Sequence, residues 1–309
     1  MGERTSVNMR TRVRILVFVV LCALSILLFW SPLAGVVELA LSSDGYTHIV
    51  LILPLSIALF YFDSKYGELS RPFSGQASIV IGVPLLVLSF AIVSSARWFL
   101  GSSPYRLSLE IFSLVIWGIG SVLLCFGVKT FESFVFPICF LFLLVPFPQP
   151  ALTRVVEFLQ HQSAGAAEIM FRSAGISVVR DGLILSIPGL NIEVAPECSS
   201  IRTSELLVIT AIILSQLFLR SWWSKLLLVL AAVPLSIAKN AFRIFTIAEL
   251  GTRVDPSFLN GSLHRQGGLL FYGLAVILMV VLVVVLRRIE LHAQGPTNRG
   301  SSGRSVEVS

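Results

Sequence analysis

The chain has 309 residues, 55% of them hydrophobic and only 13% charged, with a mean hydropathy of +0.88, so it lacks the polar surface that a water-soluble globule needs. Its formal net charge of +6 comes without any basic run interleaved with aromatic residues, which argues against nucleic acid as a partner and assigns Lys and Arg to membrane ends. Several apolar runs approach the roughly 20 residues that cross a bilayer as helix, and in hydrocarbon only helices satisfy such a backbone internally. The expected fold class is all-α, a polytopic membrane protein.

In chain order the apolar runs predict about eight spans, at 14–32, 46–62, 76–94, 108–127, 131–147, 204–219, 226–246 and 267–286. The first run is long and lacks a small-residue cleavage site, so it reads as a retained anchor rather than a signal peptide. Arg10, Arg12 and Arg14 precede the first span, Lys65 and Arg71 follow the second, Lys129 the fourth, Arg220 and Lys225 the sixth, and Arg287 and Arg288 the eighth. Basic short loops mark the cytoplasmic side, which places both termini in the cytoplasm, with Arg97 and Arg106 in an outside loop as exceptions.

The long segment 148–203 between spans is expected outside. Pro148 and Pro150 end the fifth span; Leu152, Val155, Val156, Leu159, Ile169 and Met170 then fall near helical spacing among Arg154, Glu157, Gln160 and Glu168, which predicts an amphipathic helix at the interface. From Ile176 to Val194 β-branched residues are punctuated by Asp181-Gly182 and Pro188-Gly189, the signature of a small hairpin, expected as a cap over the site. Residues 1–290 read as one integral membrane domain, and the Gly, Ser, Pro and Asn of 291–309 as a disordered cytoplasmic tail.

Three residues stand out as chemistry. Cys198 lies in the polar stretch Ala195-Pro196-Glu197-Cys198-Ser199-Ser200-Ile201-Arg202 before the sixth span, Arg243 near the outer end of the seventh, and His264 just before the eighth, so the topology brings all three to the extracytoplasmic side. Pro196 suits a first helical turn, and a helix N-terminus lowers a thiol pKa. Arg202 is four residues on, on the same face. The Arg243 guanidinium offers several fixed donors for an oxyanion or carbonyl, His264 an acid and base, and Asn240 a side chain to orient Arg243. Cys22, Cys125 and Cys139 sit inside apolar runs as packing residues, and the scattered cysteines give neither metal spacing nor a disulfide framework. No metal or other cofactor is expected.

The stretch at 195–202 resembles the cysteine signature of the exosortase/archaeosortase family, Asn-Ala-Phe-Arg-Ile at 240–244 and Leu-His-Arg-Gln-Gly-Gly at 263–268 resemble its arginine and histidine motifs in the same order, and Asp-Gly-Tyr-Thr-His at 44–48 resembles an early motif. The resemblance covers about 44–286. It implies a thiol protease or transpeptidase of the cell inner membrane, with Cys198 as nucleophile, Arg243 as oxyanion or thioester stabiliser and His264 as general acid/base. The implied partners are exported proteins ending in a Pro-Glu-Pro-like motif (PEP-CTERM), a transmembrane helix and a basic cluster, together with membrane lipid and an acceptor, exopolysaccharide or lipid. Ser200 stands where many relatives have glycine, and the extra C-terminal soluble domain of some bacterial members is not expected. Two other classes compete. A transporter or channel places charge at mid-span rather than at outer ends, and a lipid-directed cysteine acyltransferase uses the same Cys and His.

Overall fold

A computed structural model describes residues 2–66, 75–194, 201–260 and 262–293. The chain divides into two compact units, 1–153 and 154–309.

In the first unit, α1 (Gly2–Leu28) and α2 (Trp30–Ser42) meet at a 67° bend. The cause is Pro32, which has no N–H for the Leu28 carbonyl four residues back. The Arg97 guanidinium donates to that carbonyl instead. After a 3₁₀ turn comes α3 (Ile49–Tyr66), then α4 (Gly75–Phe99) and α5 (Arg106–Phe126), an antiparallel pair in close contact. Beyond them the expected fifth span is broken into α6 (Val128–Ser133), α7 (Val135–Phe140) and a 3₁₀ turn at Leu141–Leu144. Breaks expose carbonyls that an apolar surrounding cannot satisfy. Ser56 Oγ donates to Pro137 O at 2.8 Å, Ser108 Oγ to Pro146 O at 2.7 Å and Tyr46 Oη to Phe147 O at 2.7 Å. The two arginines that ran against the charge rule serve a structural purpose, since Arg106 and Arg97 lie 3.1 and 3.5 Å from the buried Glu110 carboxylate.

The second unit is entered through α8 (Gln149–Ser173). Its apolar face is wider than protein covers: Leu159, Ala164, Ala167 and Phe171 are buried, whereas Val155, Phe158 and Ile169 along one edge of the same face are exposed, with Arg154, Glu157, His161, Glu168 and Arg172 on the opposite side. The expected hairpin is a three-stranded antiparallel meander, β1 (Val179–Asp181), β2 (Ile184–Ile187) and β3 (Leu190–Glu193). Both connections are two residues long, and Gly182 (φ 60°) and Gly189 (φ 83°) take the left-handed conformations these turns need. Leu185 and Ile187 face a core shared with α8 and with Ala241, Ile244 and Ala248 of a later helix.

That helix is α10 (Trp222–Arg253), preceded by α9 (Ile201–Phe218) and followed by the short α11 (Ser257–Asn260) and α12 (Ser262–Ala293). Glu290 of α12 accepts the Arg220 and Ser221 N–H groups at 3.1 and 2.9 Å, which caps the start of α10. At the other end Asp255, two residues before α11, accepts the Ser257 N–H at 2.7 Å, and hydrogen bonds from the Ser257 backbone and side chain hold the exposed Asp255 carboxyl below its usual range.

Among the described residues five helices are long and apolar enough to cross a membrane, or up to seven if each bent pair counts as one span. Each of the eight expected segments coincides with helix, but the first bends, the second is short and the fifth is broken, so the number of crossings is five to seven by length and composition. The architecture is all-α and polytopic, with one small sheet. Most of the expected tail, 294–309, lies outside the described residues, and α12 reaches three residues into it.

The α4–α5 contact depends on a missing side chain. A Cβ on Gly82 would lie 2.9 Å from both the backbone nitrogen and the Cβ of Leu124, and Ser89 Oγ donates to Ser113 O across the same interface at 2.6 Å. Gly82→Ala therefore forces backbone apart and is expected to cost about 1–3 kcal/mol, read as a lower thermal unfolding midpoint of the detergent-solubilised protein.

Candidate active site

Helix α10 carries Ser236, Lys239, Asn240 and Arg243 at i, i+3, i+4 and i+7, one polar stripe in an otherwise apolar run. All four are buried, with relative exposures of 3%, 7%, 1% and 8%. The stripe meets α9: Ser236 Oγ and Ser204 Oγ are 2.5 Å apart, and Lys239 Nζ donates to Thr203 Oγ1 at 2.5 Å. From Ser236 to Lys239 the partners on α9 move from Ser204 to Thr203, so the stripe climbs towards the N-terminal end of α9 as it approaches Arg243. The other two sides of α10 are apolar. Ala241, Ile244 and Ala248 pack on the sheet and α8, while Leu235, Ala238 and Phe242 face α12 around a cavity of about 250 Å³, Phe242 meeting Phe271 edge-on at 5.9 Å.

The three residues singled out in the sequence are not equally visible. Arg243 is buried on the α10 stripe and engaged by other groups. His264 lies in the first turn of α12, seven residues before Phe271, or about 10.5 Å along a helix axis, and only its backbone is described. Cys198 lies outside the described residues, as does the polar stretch from 195 to 200. Arg202 is exposed in the first turn of α9 and has partners of its own. Glu249, six residues beyond Arg243 on α10, is paired with Arg253 at 2.8 Å.

Two points differ from expectation. Asn240 does not orient Arg243 through a hydrogen bond, because neither its Oδ1 nor its Nδ2 has any partner. And α10 continues seven residues past the expected boundary at 246, so Arg243 sits inside a longer helix. Lys239, Thr203, Ser204 and Ser236 were missed in the sequence, although polar residues at helical spacing within an apolar run are a readable signal. Cys22, Cys125 and Cys139 are free thiols. Among the described residues no group of three or more His, Cys, Asp or Glu side chains could hold a metal ion.

The family model described as transmembrane exosortase matches residues 30–281. The chain belongs to the transmembrane exosortase family. It is thereby placed among membrane proteases and transpeptidases that act on proteins bearing sorting signals, and its apolar helices make it a multi-pass membrane protein. The match takes in both units, including α9, α10 and most of α12. No curated protein and no solved structure gives a match.

Proposed function

We propose that this exosortase cleaves C-terminal sorting signals, a Pro-Glu-Pro-like motif followed by a transmembrane helix and a basic cluster, from exported proteins through a thioester on Cys198. The Cys198 thiolate attacks the scissile carbonyl and His264 protonates the departing amine as the C–N bond breaks. A nucleophilic acceptor, or water, then attacks the thioester and releases the thiol. Arg243 holds the carbonyl oxygen as it gains charge.

The observation that carries this reading is the burial of Arg243 on a polar stripe that climbs to the N-terminal end of α9, the helix entered by the Cys198 stretch. Membrane depth supports it too. About 20 helical residues fill a hydrocarbon core of about 30 Å, and counted from the interfacial pair Trp222-Trp223 they end near Ala241, which puts Arg243 at the far boundary rather than at the centre of the bilayer. The acceptor is an exopolysaccharide or a lipid. The enzyme sits in the inner membrane with both termini in the cytoplasm and the reacting groups on the outer side. A transporter would hold its buried cations nearer mid-membrane.

Orientation is checked by a membrane-impermeant maleimide on intact cells, with Cys22, Cys125 and Cys139 replaced: Cys198 is expected to label from outside, and a cysteine placed at 298 only after permeabilisation. For the chemistry, Cys198→Ala and Cys198→Ser are expected to abolish processing of a tagged substrate at normal abundance in the membrane. Retained cleavage on a gel by Cys198→Ala would remove the thioester route.

Arg243→Lys distinguishes oxyanion binding from charge balance. Loss of one positioned donor costs about 10²–10³ in rate, so turnover is expected to fall at least about tenfold although the charge is kept. His264→Ala is expected to fall comparably, with a changed pH profile. Wild-type turnover by purified Arg243→Lys would make that residue a structural cation.

A further inference from the structure

Asn240 is buried to 1% exposure, and both polar atoms of its amide are without a hydrogen-bond partner. On the same stripe Ser236 and Lys239 are bonded to α9 and Arg243 is engaged. Leaving a buried donor or acceptor unmade costs about 1–3 kcal/mol each, and an aliphatic side chain at 240 would avoid that cost altogether. Asn240 adds no hydrogen bond to the α9–α10 contact that would account for it. The other orphaned side chain among the described residues, Ser163 Oγ, is a single hydroxyl on α8.

A primary amide presents one acceptor oxygen and a two-proton donor side by side, the complement of a peptide group's N–H and C=O. Peptide segments at membrane depth need such partners whenever they are not helical. A chain opened for cleavage is in that state, because attack on its carbonyl requires the scissile bond to be free of helical enclosure.

We infer that Asn240 binds a backbone peptide group of the substrate's cleavage segment, one helical turn from Arg243, its Nδ2 donating to the substrate carbonyl and its Oδ1 accepting the substrate N–H. The inference rests on the function proposed above and adds to it a residue that reads the substrate's backbone rather than its side chains. Asn240 is enclosed in the ligand-free chain, so the peptide exchanges places with the groups that cover it.

The test uses the full-length, detergent-solubilised enzyme and a synthetic single-span peptide carrying a Pro-Glu-Pro motif, an apolar helix and an arginine tail. Asn240→Leu is expected to unfold at or above the wild-type temperature, since an orphaned polar group is replaced by an apolar one of similar size. Its kcat/KM is expected to fall roughly tenfold or more, the effect of losing two hydrogen bonds to substrate. Asn240→Ala, which adds no bulk, is expected to show the same loss. In the Cys198→Ala background, where binding is read without turnover, Asn240→Leu is expected to raise the Kd of the same peptide by a similar factor.

Wild-type kcat/KM in Asn240→Leu would overturn the inference while leaving the proposed function intact. So would a midpoint well below wild type in both Asn240 variants, which would make the amide a structural hydrogen-bonding group, satisfied by protein or buried water. Undiminished cleavage by Cys198→Ala would overturn the function itself, and the peptide Kd would still report on Asn240.

Discussion

A helix that carries Lys239, Asn240 and Arg243 through an apolar run is stable in a membrane only if protein, not lipid, surrounds those side chains. Helix α10 meets that demand along its polar stripe, and within its apolar run it leaves only apolar residues such as Leu226, Leu227, Leu230 and Val233 exposed. Hydroxyls of α9 receive the polar stripe, the β1–β3 meander and α8 close the face of Ala241, Ile244 and Ala248, and α12 packs along the third through Phe242 and Phe271. Each neighbour is explained by what α10 presents to it. The meander, which has no place in hydrocarbon with open edges, is explained the same way: it packs on the part of α10 that extends past the length of a single crossing.

The same rule governs the first unit, where the polar groups are mostly backbone. Pro32 frees the Leu28 carbonyl, and the breaks between α6 and α8 free those of Pro137, Pro146 and Phe147; each finds a donor from a distant side chain, Arg97, Ser56, Ser108 or Tyr46. Bent and broken helices are tolerated at such depth because other segments supply the missing hydrogen bonds. Glu110, buried beside Arg97 and Arg106, explains why two arginines persist at the facing ends of α4 and α5, where the charge rule does not expect them.

Among the described residues Asn240 and the Ser163 hydroxyl depart from this satisfaction of polar groups, and departures of that kind gather where a chain meets its ligand. Arg243 and Asn240 are three residues apart on one buried face, the first a fixed cation and the second a neutral donor and acceptor. On the proposed function, together they divide the recognition of a peptide bond under attack into charge and hydrogen bonding.

The sequence by itself determined the class, because hydropathy and the roughly 20-residue length of a crossing are local properties. It determined the family through short motifs at 195–202, 240–244 and 263–268, and it located the turns at Gly182 and Gly189, where only backbone freedom is at issue. Only the tertiary structure decided where spans bend or continue. Pro32 was visible, but the carbonyl donor that makes its bend tolerable comes from Arg97, 65 residues away. How far the apolar face of α8 is covered was decided in the same way: helical spacing shows which residues share a side, and neighbours remote in the chain decide which part of that side meets protein. Asn240 looked like a partner for Arg243 because spacing on a helix gives proximity, whereas a hydrogen bond needs direction, and direction is set by α9 and the sheet.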